Sequence, residues 1–199
     1  MTDWMEKLPE AALEFLAGRK PDEVECVVSD LAGVARGKAM PASKFARQTH
    51  FYMATANAKG QPYVQHRGGP AGFLKVLGPK TLGFADFLGN MRYITVGNLG
   101  ENDNVFLFLM DYPAQRRVKI RGRAGIVTDP DVIRSVADPN YDAVVERAII
   151  IDVEYWETNC NAHISQRFTQ ADVDRAVAPV LERMKRLEER LEAAGLPTD

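Results

Sequence analysis

Short apolar runs separated by turn residues fill the chain from residue 51 to residue 155, and this series limits the fold more than any other feature. The clearest run is Arg116–Val127, in which Val, Ile, Gly and Ala alternate with Arg and Lys. A period of two residues is typical of a strand with one buried and one solvated face. The Asn57–Gly60 segment joins two neighbouring runs and is typical of a hairpin turn. Because consecutive, hairpin-linked strands pair side by side, the series predicts an antiparallel sheet that closes on itself.

Most of the elements predicted in this series are strands. They span residues 51–56, 62–66, 73–77, 81–85, 104–110, 116–127 and 148–155. Within the fifth of these, Val105–Met110 is continuously apolar, and such a run predicts a strand buried on both faces. Residues 25–28 predict a further short strand, followed by a loop that contains Gly33 and Gly37. Residues 44–51 predict a short helix or a turn.

Helical spacing marks a smaller set of segments. They cover residues 3–18, residues 92–98, residues 129–136 and a long stretch after Thr169. Thr169 and Asp172 have the spacing of a capping box at the start of this last helix. Its apolar residues follow steps of four and three, which is the spacing of a heptad seam. They are Val173, Val177, Val180, Met184, Leu187 and Leu191. Pro179 predicts a kink or a break in the helix, and the seam predicts docking onto the barrel or onto a second copy.

The order of these elements predicts an α+β protein that is mainly β. We expect an amino-terminal extension at residues 1–50, a barrel domain at residues 51–168 and a carboxy-terminal helix at residues 169–199. A chain of 199 residues is long enough for one such domain and an extension.

Charge and cysteine content narrow the class of protein. The formal net charge is −2, so no overall field attracts nucleic acid or an anionic membrane. No apolar run approaches the roughly 20 residues that span a bilayer, and the acidic amino terminus does not resemble a signal peptide. The two cysteines are too few for a disulfide framework, which favours a reducing compartment. We therefore expect a cytoplasmic protein that binds neither nucleic acid nor membrane.

Three cations lie among glycines between residues 63 and 98 and predict an anion site. Arg67 precedes Gly68, Lys75 ends a Gly-Phe-Leu-Lys run, and Arg92 follows Asn90 by two residues. Arginine binds a phosphate through two parallel hydrogen bonds, and neighbouring glycines let the backbone approach it. Taken alone, Arg67 is equally well explained as an exposed side chain beside a Gly-Gly-Pro turn. The three cations together favour a phosphate.

The same segment resembles the pyridoxamine 5'-phosphate oxidase-like FMN-binding family, and the resemblance extends over about residues 46–170. It implies an antiparallel split β-barrel that binds FMN. In this family an Arg and a Lys on neighbouring strands, with a short turn of the pattern Gly-Asn/Ser-x-Arg/Lys, hold the flavin phosphate. The resemblance thereby assigns the phosphate to Arg67, Gly68, Lys75, Asn90 and Arg92.

The resemblance also implies contacts along the rest of the cofactor. Phe73, Leu74 and Lys75 would flank the isoalloxazine and the ribityl chain. Ala85 and Asp86 stand where the family has Tyr-Thr, which removes hydroxyl donors and adds a carboxylate. The implied contact at Asp86 is therefore the one at which this chain departs furthest from the family pattern.

The family pattern further implies a homodimer with FMN at the interface. Arg117 stands where family members carry a Gln or Arg that reaches the cofactor from the second subunit. The basic stripe Arg117–Arg123 also reads as a solvated strand face, and we expect at least two of its four cations to be no more than that.

On this basis we expect an FMN-dependent oxidoreductase that acts on a small molecule. A pyridoxamine phosphate oxidase proper would carry an Arg-x-His near the carboxyl end, and this chain ends in a charged helix instead. The alternative is a sensor or carrier that binds flavin or another phosphorylated ligand without turnover. No catalytic residue is assigned, and no metal site is predicted.

Two further segments have resemblances of their own. Ser29–Lys38 with Pro41–Phe45 resembles the amino-terminal β-grasp segment of glutamine synthetase-like enzymes, whose catalytic domain does not follow, so we expect no ligase activity. A solvated basic turn at Arg36–Lys38 is the plainer interpretation. Asn159–His163, with Arg167 behind it, resembles an Asn-Cys-Pro-x-His segment of some FMN proteins. Packing against the flavin edge or the dimer seam is favoured over direct catalysis for this segment, and its Cys and His are two ligands where a structural zinc site needs four.

Overall fold

The computed structural model describes residues 23–29, 35–41, 43, 45–158 and 162–197. The chain divides into two compact units, Met1–Asp111 with Arg117–Cys160 and Tyr112–Arg116 with Asn161–Asp199. The helix predicted at residues 3–18 lies outside the described residues. The domain boundaries predicted at residues 50 and 168 stay predictions.

The described part of the chain holds nine strands. They are β1 (Glu23–Ser29), β2 (Ala35–Pro41), β3 (His50–Ala56), β4 (Pro62–Gly68), β5 (Lys75–Gly78), β6 (Thr81–Phe87), β7 (Asn104–Asp111), β8 (Arg116–Val127) and β9 (Val145–Thr158). β1 and β2 form an antiparallel pair. The other strands form a seven-stranded sheet in the order β4-β3-β7-β8-β9-β6-β5. The β3–β4, β3–β7, β5–β6, β6–β9 and β8–β9 pairs are antiparallel.

Three helices are described. They are α1 (Ile94–Glu101), α2 (Pro130–Val136) and α3 (Gln170–Ala193). Asp129 caps α2 by accepting hydrogen bonds from two backbone amides of its first turn. Thr169 caps α3 in the capping box that the sequence predicts, with Asp172 as its acidic member. None of the described helices has a stretch long and apolar enough to cross a membrane.

The sheet curls so that β3 and β6, which are not neighbours in it, meet across the barrel interior. The rings of Phe51 on β3 and Phe84 on β6 lie 5.2 Å apart, and Phe73 stacks on Phe51 at 5.4 Å. On the other face of β6 a second core forms between Leu77, Ala85 and Ile150 and the buried residues of α2. The burial of each Phe, Leu, Ile or Val side chain in these two cores contributes about 1.5–3 kcal/mol to the free energy of unfolding. The mainly β, antiparallel split β-barrel that the sequence predicts is confirmed.

The structure corrects four details of the predicted elements. β7 is not buried on both faces: its residues alternate, and Phe106 is 37% exposed because one face of β7 lies outside the barrel. Gly37 does not lie in a loop but within β2, where it pairs with β1. The helix predicted at residues 92–98 starts later, at Ile94. α3 continues through Pro179, so the helix is not broken there, and the alternative prediction of a kink stays a prediction.

Candidate functional site

Arg67 lies near the end of β4 and faces the barrel interior, as its pairing with the buried Phe51 requires. Its guanidinium lies 5.8 Å from the centre of the Phe84 ring. Its Nη1 donates a hydrogen bond of 2.5 Å to Oδ1 of Asp86 on β6. The two side chains are only 11% and 6% exposed. A buried guanidinium requires a counter-charge, and Asp86 supplies it across the barrel interior.

Asp86 also contacts a second arginine. Nε of Arg147 on β9 lies 3.6 Å from Asp86 Oδ2, and its Nη2 lies 2.9 Å from the Glu146 carboxylate. The Arg147 guanidinium lies 5.0 Å from the centre of the Tyr93 ring, and the Tyr93 hydroxyl donates to Glu146 at 2.8 Å. We call these five residues, Arg67, Asp86, Arg147, Glu146 and Tyr93, the arginine network. It joins β4, β6 and β9 to the loop before α1.

The buried guanidinium of Arg67 is only partly compensated by its neighbours. Burial lowers the pKa of the Arg67 guanidinium, and the Asp86 carboxylate opposes that shift. Nε of Arg67 is buried and has no hydrogen-bond partner in the described part of the chain. Burying a donor without a partner costs free energy, so this N–H is a group that an anionic ligand would satisfy.

The loop that carries Asn90 and Arg92 has an unusual backbone. Met91 and Tyr93 adopt φ angles of 55° and 48°, in the left-handed region that non-glycine residues rarely occupy. The Asn90 side chain accepts a hydrogen bond from the backbone N–H of Arg92 at 3.3 Å. The Arg92 side chain is exposed and, within the described residues, has no ion-pair partner. Backbone strain of this kind concentrates at binding sites. Arg92 directly precedes Tyr93, which belongs to the arginine network, so this strained loop connects Arg92 to the network.

The structure divides the remaining predicted residues between two faces of the sheet. Lys75 pairs with Gly83 on β6, so it shares a face with Gly83 and Ala85. An added Cβ at Gly83 would touch Leu77, which belongs to the core beside α2. Asp86 lies on the opposite face because successive strand residues alternate. Lys75 and Ala85 therefore lie away from the barrel-facing side chains of Arg67 and Asp86.

Gly68 is the last residue of β4, and Phe73 and Leu74 lie in the loop that joins β4 to β5. Gly68 pairs with His50 on β3, and an added Cβ there would lie 2.9 Å from the His66 ring. Phe73 and Leu74 are 3% and 1% exposed in the barrel core. They are hydrophobic wall residues of the barrel in this structure, and their predicted flavin contacts stay predictions.

Arg117 differs from the rest of the basic stripe. Lys119, Arg121 and Arg123 form ion pairs with acidic residues on β9 and in the loop before β7. Nε of Arg117 is buried and has no hydrogen-bond partner among the described residues. No contact in the described part of the chain joins Arg117 to Arg67 or Arg92. Within one chain the structure therefore does not bring Arg117 to the arginine network.

The sequence analysis did not single out Arg147, Glu146 or Tyr93. Glu146 and Arg147 directly precede the apolar run at residues 148–155 and belong to β9, which starts at Val145. A Glu-Arg pair at the start of a buried strand is the one sequence signal that would have marked them, since charges in such strands need partners. Tyr93 carries no comparable signal.

The predicted cluster near residue 160 is only partly described. Residues 159–161, which include Cys160, lie outside the described residues. His163 is exposed with a φ of 62°, and the Arg167 guanidinium lies 4.9 Å from the centre of the Tyr112 ring. The described residues contain no group of three or more His, Cys, Asp or Glu side chains placed to hold a metal ion.

Comparison with known proteins identifies the family. The family model described as pyridoxamine 5'-phosphate oxidase matches residues 42–164, more than half of the 199-residue chain. The chain therefore belongs to the pyridoxamine 5'-phosphate oxidase family. No match was found among curated proteins.

Several solved structures resemble the chain at low sequence identity. HupZ from Group A Streptococcus is 18% identical, with a TM-score of 0.49, and the match covers 65% of this chain and all of HupZ. A Clostridium acetobutylicum protein related to general stress protein 26 is 13% identical, with a TM-score of 0.42, covering 63% of this chain and 88% of its own. HutZ, the heme storage protein of Vibrio cholerae, is 12% identical, with a TM-score of 0.38, and the match covers 58% of this chain and 89% of HutZ. Similarity at this level identifies neither a ligand nor an activity.

Proposed function

We propose that the protein is an FMN-binding flavoprotein and that FMN supplies electron transfer to or from a small molecule. Membership of the pyridoxamine 5'-phosphate oxidase family supports this proposal. The observation that carries it is the buried, unsatisfied Nε of Arg67 in a network that reaches the loop of Arg92. Guanidinium donors left without acceptors suit the dianionic phosphate of FMN.

Each residue has a defined part in the proposal. Arg67 and Arg92 would hold the phosphate, and the backbone around Gly68 would let it approach. Asp86 would keep Arg67 oriented, as a carboxylate does for a guanidinium that it binds. Arg117 would come from the second copy of a homodimer, because nothing in the described residues brings it to Arg67 within one chain. The reducing compartment indicated by the cysteine content would be the cytoplasm.

A carrier or sensor that does not turn over is the second candidate, and Asp86 favours it. Asp86 is the one carboxylate among the predicted site residues, and it is 6% exposed and contacts two arginines. A buried carboxylate that already contacts two arginines is not free to reach a proton of a substrate, so it is a poor candidate for a general base. Flavin could then be bound without being used.

Flavin binding is tested by purifying the protein, recording its visible absorption spectrum and titrating it with FMN by fluorescence. We expect Arg92→Ala to weaken FMN binding roughly 10- to 100-fold, because a hydrogen bond to a charged group contributes about 1.5–3 kcal/mol. Arg134→Ala is the matched control, since Arg134 is an exposed arginine on α2. It should change the affinity less than twofold. A folded protein that binds no FMN, or equal effects of the two substitutions, would refute the proposed phosphate site.

Turnover is tested separately on the FMN-loaded protein. Anaerobic mixing with a reduced nicotinamide, followed by an electron acceptor, shows whether the flavin is reduced and reoxidised. Reduction and reoxidation faster than those of free FMN support the enzyme. Stable binding without acceleration supports the carrier.

A further inference from the structure

Within its own compact unit, α3 presents a continuous apolar row that no other described residue of that unit covers. Val173, Val177, Val180, Met184 and Leu187 are between 40% and 56% exposed, and no residue of the helix is buried. The helix has 24 residues and is about 36 Å long. An amphipathic helix of this length usually gains most of its stability by burying its apolar stripe. The row therefore has the properties of an interface.

The spacing of the row selects a helical partner. Steps of four and three residues repeat along it from Val173 to Leu191, and this heptad pattern is the one by which two helices pack knobs into holes. Pro179 follows Val177 by two residues, which places it outside the seam on the solvent side. Its ring and its missing N–H therefore lie away from the seam, and α3 continues through it, so it does not block close approach of a second helix.

The charges beside the row select the partner and its direction. Asp174 and Glu188 border one edge of the seam, and Arg183 and Arg190 border the other. In a parallel pair of identical helices, the acidic edge of each meets the basic edge of the other. In an antiparallel pair, acidic edges would face each other and so would basic edges, which is repulsive. Arg183 precedes Glu188 by five residues, the separation that a parallel pair brings together between copies.

The uncharged positions of the two edges agree with this arrangement. Ala176 precedes Leu181 by the same five residues, so a parallel pair also brings these two together between copies. Leu181 is 57% exposed within one chain. Neither Arg183 nor Glu188 has an ion-pair partner in the described part of the chain, so both are available to a second copy.

We propose that α3 is a self-association helix, which pairs with α3 of a second copy as a parallel two-stranded coiled coil. The two-fold axis then runs along the seam, and Arg183 of each copy meets Glu188 of the other. This inference does not rest on the proposed flavin chemistry, and it holds with or without bound FMN.

Disulfide formation within the full-length chain tests the pairing and its direction. Cys26 and Cys160 are first replaced by serine, and single cysteines are then introduced by Val173→Cys and Leu187→Cys. In a parallel pair each of these positions meets its own copy, so both variants should form a linked dimer of about twice 22.1 kDa on a non-reducing gel. Arg175→Cys and Glu189→Cys are the controls, because they lie on the outer side of the helix and should not link.

Other occupants of the row give other results. An antiparallel pair links at only one level of the helix, so it cannot link at both Val173 and Leu187. Docking of α3 on its own chain, or on an unrelated protein, gives no linked dimer from the purified variants. Equal linking at the outer positions shows random collision. Each of these three results would overturn the proposal.

Charge reversal provides an independent arm. Arg183→Glu and Glu188→Arg should each weaken linking at Leu187, roughly tenfold for two repulsive contacts per dimer. The double variant restores attraction and should recover most of the linking. Circular dichroism on each variant checks that the helix is intact. Failure of the double variant to recover, with the helix intact, would refute the proposed Arg183–Glu188 contact.

Discussion

Removal of the Asp86 carboxylate tests whether the arginine network stabilises the barrel. Asp86→Ala leaves the Arg67 guanidinium, 11% exposed, without its counter-charge. Arg147 keeps Glu146 at 2.9 Å, so the loss concerns mainly Arg67. Leaving one partner of a buried ion pair alone costs about 3–5 kcal/mol. We expect the free energy of unfolding to fall by about 3 kcal/mol, at the lower limit because Arg67 keeps some contact with water.

Urea unfolding of the flavin-free protein at a fixed concentration measures this change. Asp131→Ala is the matched control, since it breaks an Asp–Arg pair whose side chains are 79% and 72% exposed. Exposed pairs contribute at most about 1 kcal/mol. The double variant Arg67→Met with Asp86→Leu removes both charges and should recover most of the stability.

The reasoning fails if Asp86→Ala costs no more than Asp131→Ala. It also fails if the double variant is less stable than Asp86→Ala, because Arg67 and Asp86 would then not be coupled. Asp86→Ala also bears on the ligand, because Asp86 is proposed to keep Arg67 oriented. FMN affinity should therefore fall, provided the phosphate binds at Arg67.

Four further outcomes are expected. Gly122→Ala should reduce the free energy of unfolding by more than about 2 kcal/mol, because an added Cβ would lie 2.1 Å from the carbonyl oxygen of Asp152. Gly97 lies in a helix, and an added Cβ there would have open space around it. Gly97→Ala should therefore raise the free energy of unfolding by about 0.5–1 kcal/mol in the same urea titration. Burial lowers the pKa of His50 from its ordinary value of 6.5, so the unfolded chain binds a proton more readily than the folded chain. The neutral His50 therefore favours the folded state fully above pH 6.5, and this stability is lost as the pH falls below 6.5. His50→Gln should make the urea midpoint of unfolding depend less on pH between about pH 7.5 and pH 5. Thr169→Ala removes a cap and should cost about 1 kcal/mol of helix stability, seen as an earlier thermal loss of helical circular dichroism.

Local sequence patterns correctly predicted β8 and the start of α3. β8 has the predicted bounds because Arg116–Val127 alternates without interruption, and the capping box of α3 follows from two residues three positions apart. β7 misled the analysis because an apolar residue such as Phe106 can lie on the outer face of a sheet. Its exposure depends on where the strand lies in the sheet, and the sequence of the strand does not contain that information.

The candidate site was harder to predict because its contacts are not local. Arg67 and Asp86 are 19 residues apart, and Tyr93 and Glu146 are 53 apart. Composition marked Arg67 as a cation near glycines, but its partner depends on the curl that brings β4 to β6. The face of Lys75 depends on the register of a four-residue strand that contains an irregularity, which no period in the sequence reveals.

The position of β9 has a consequence for synthesis on the ribosome. Val145–Thr158 is the last of the described strands along the chain, yet it lies inside the sheet between β8 and β6. When the nascent chain has reached residue 144, β4-β3-β7-β8 and β5–β6 are two separate groups with no strand to join them. Each group then presents an unpaired edge, which invites pairing with other chains. A stalled or truncated product that ends before Val145 should therefore aggregate or be degraded, whereas a chain that ends after Thr158 has every strand of the sheet.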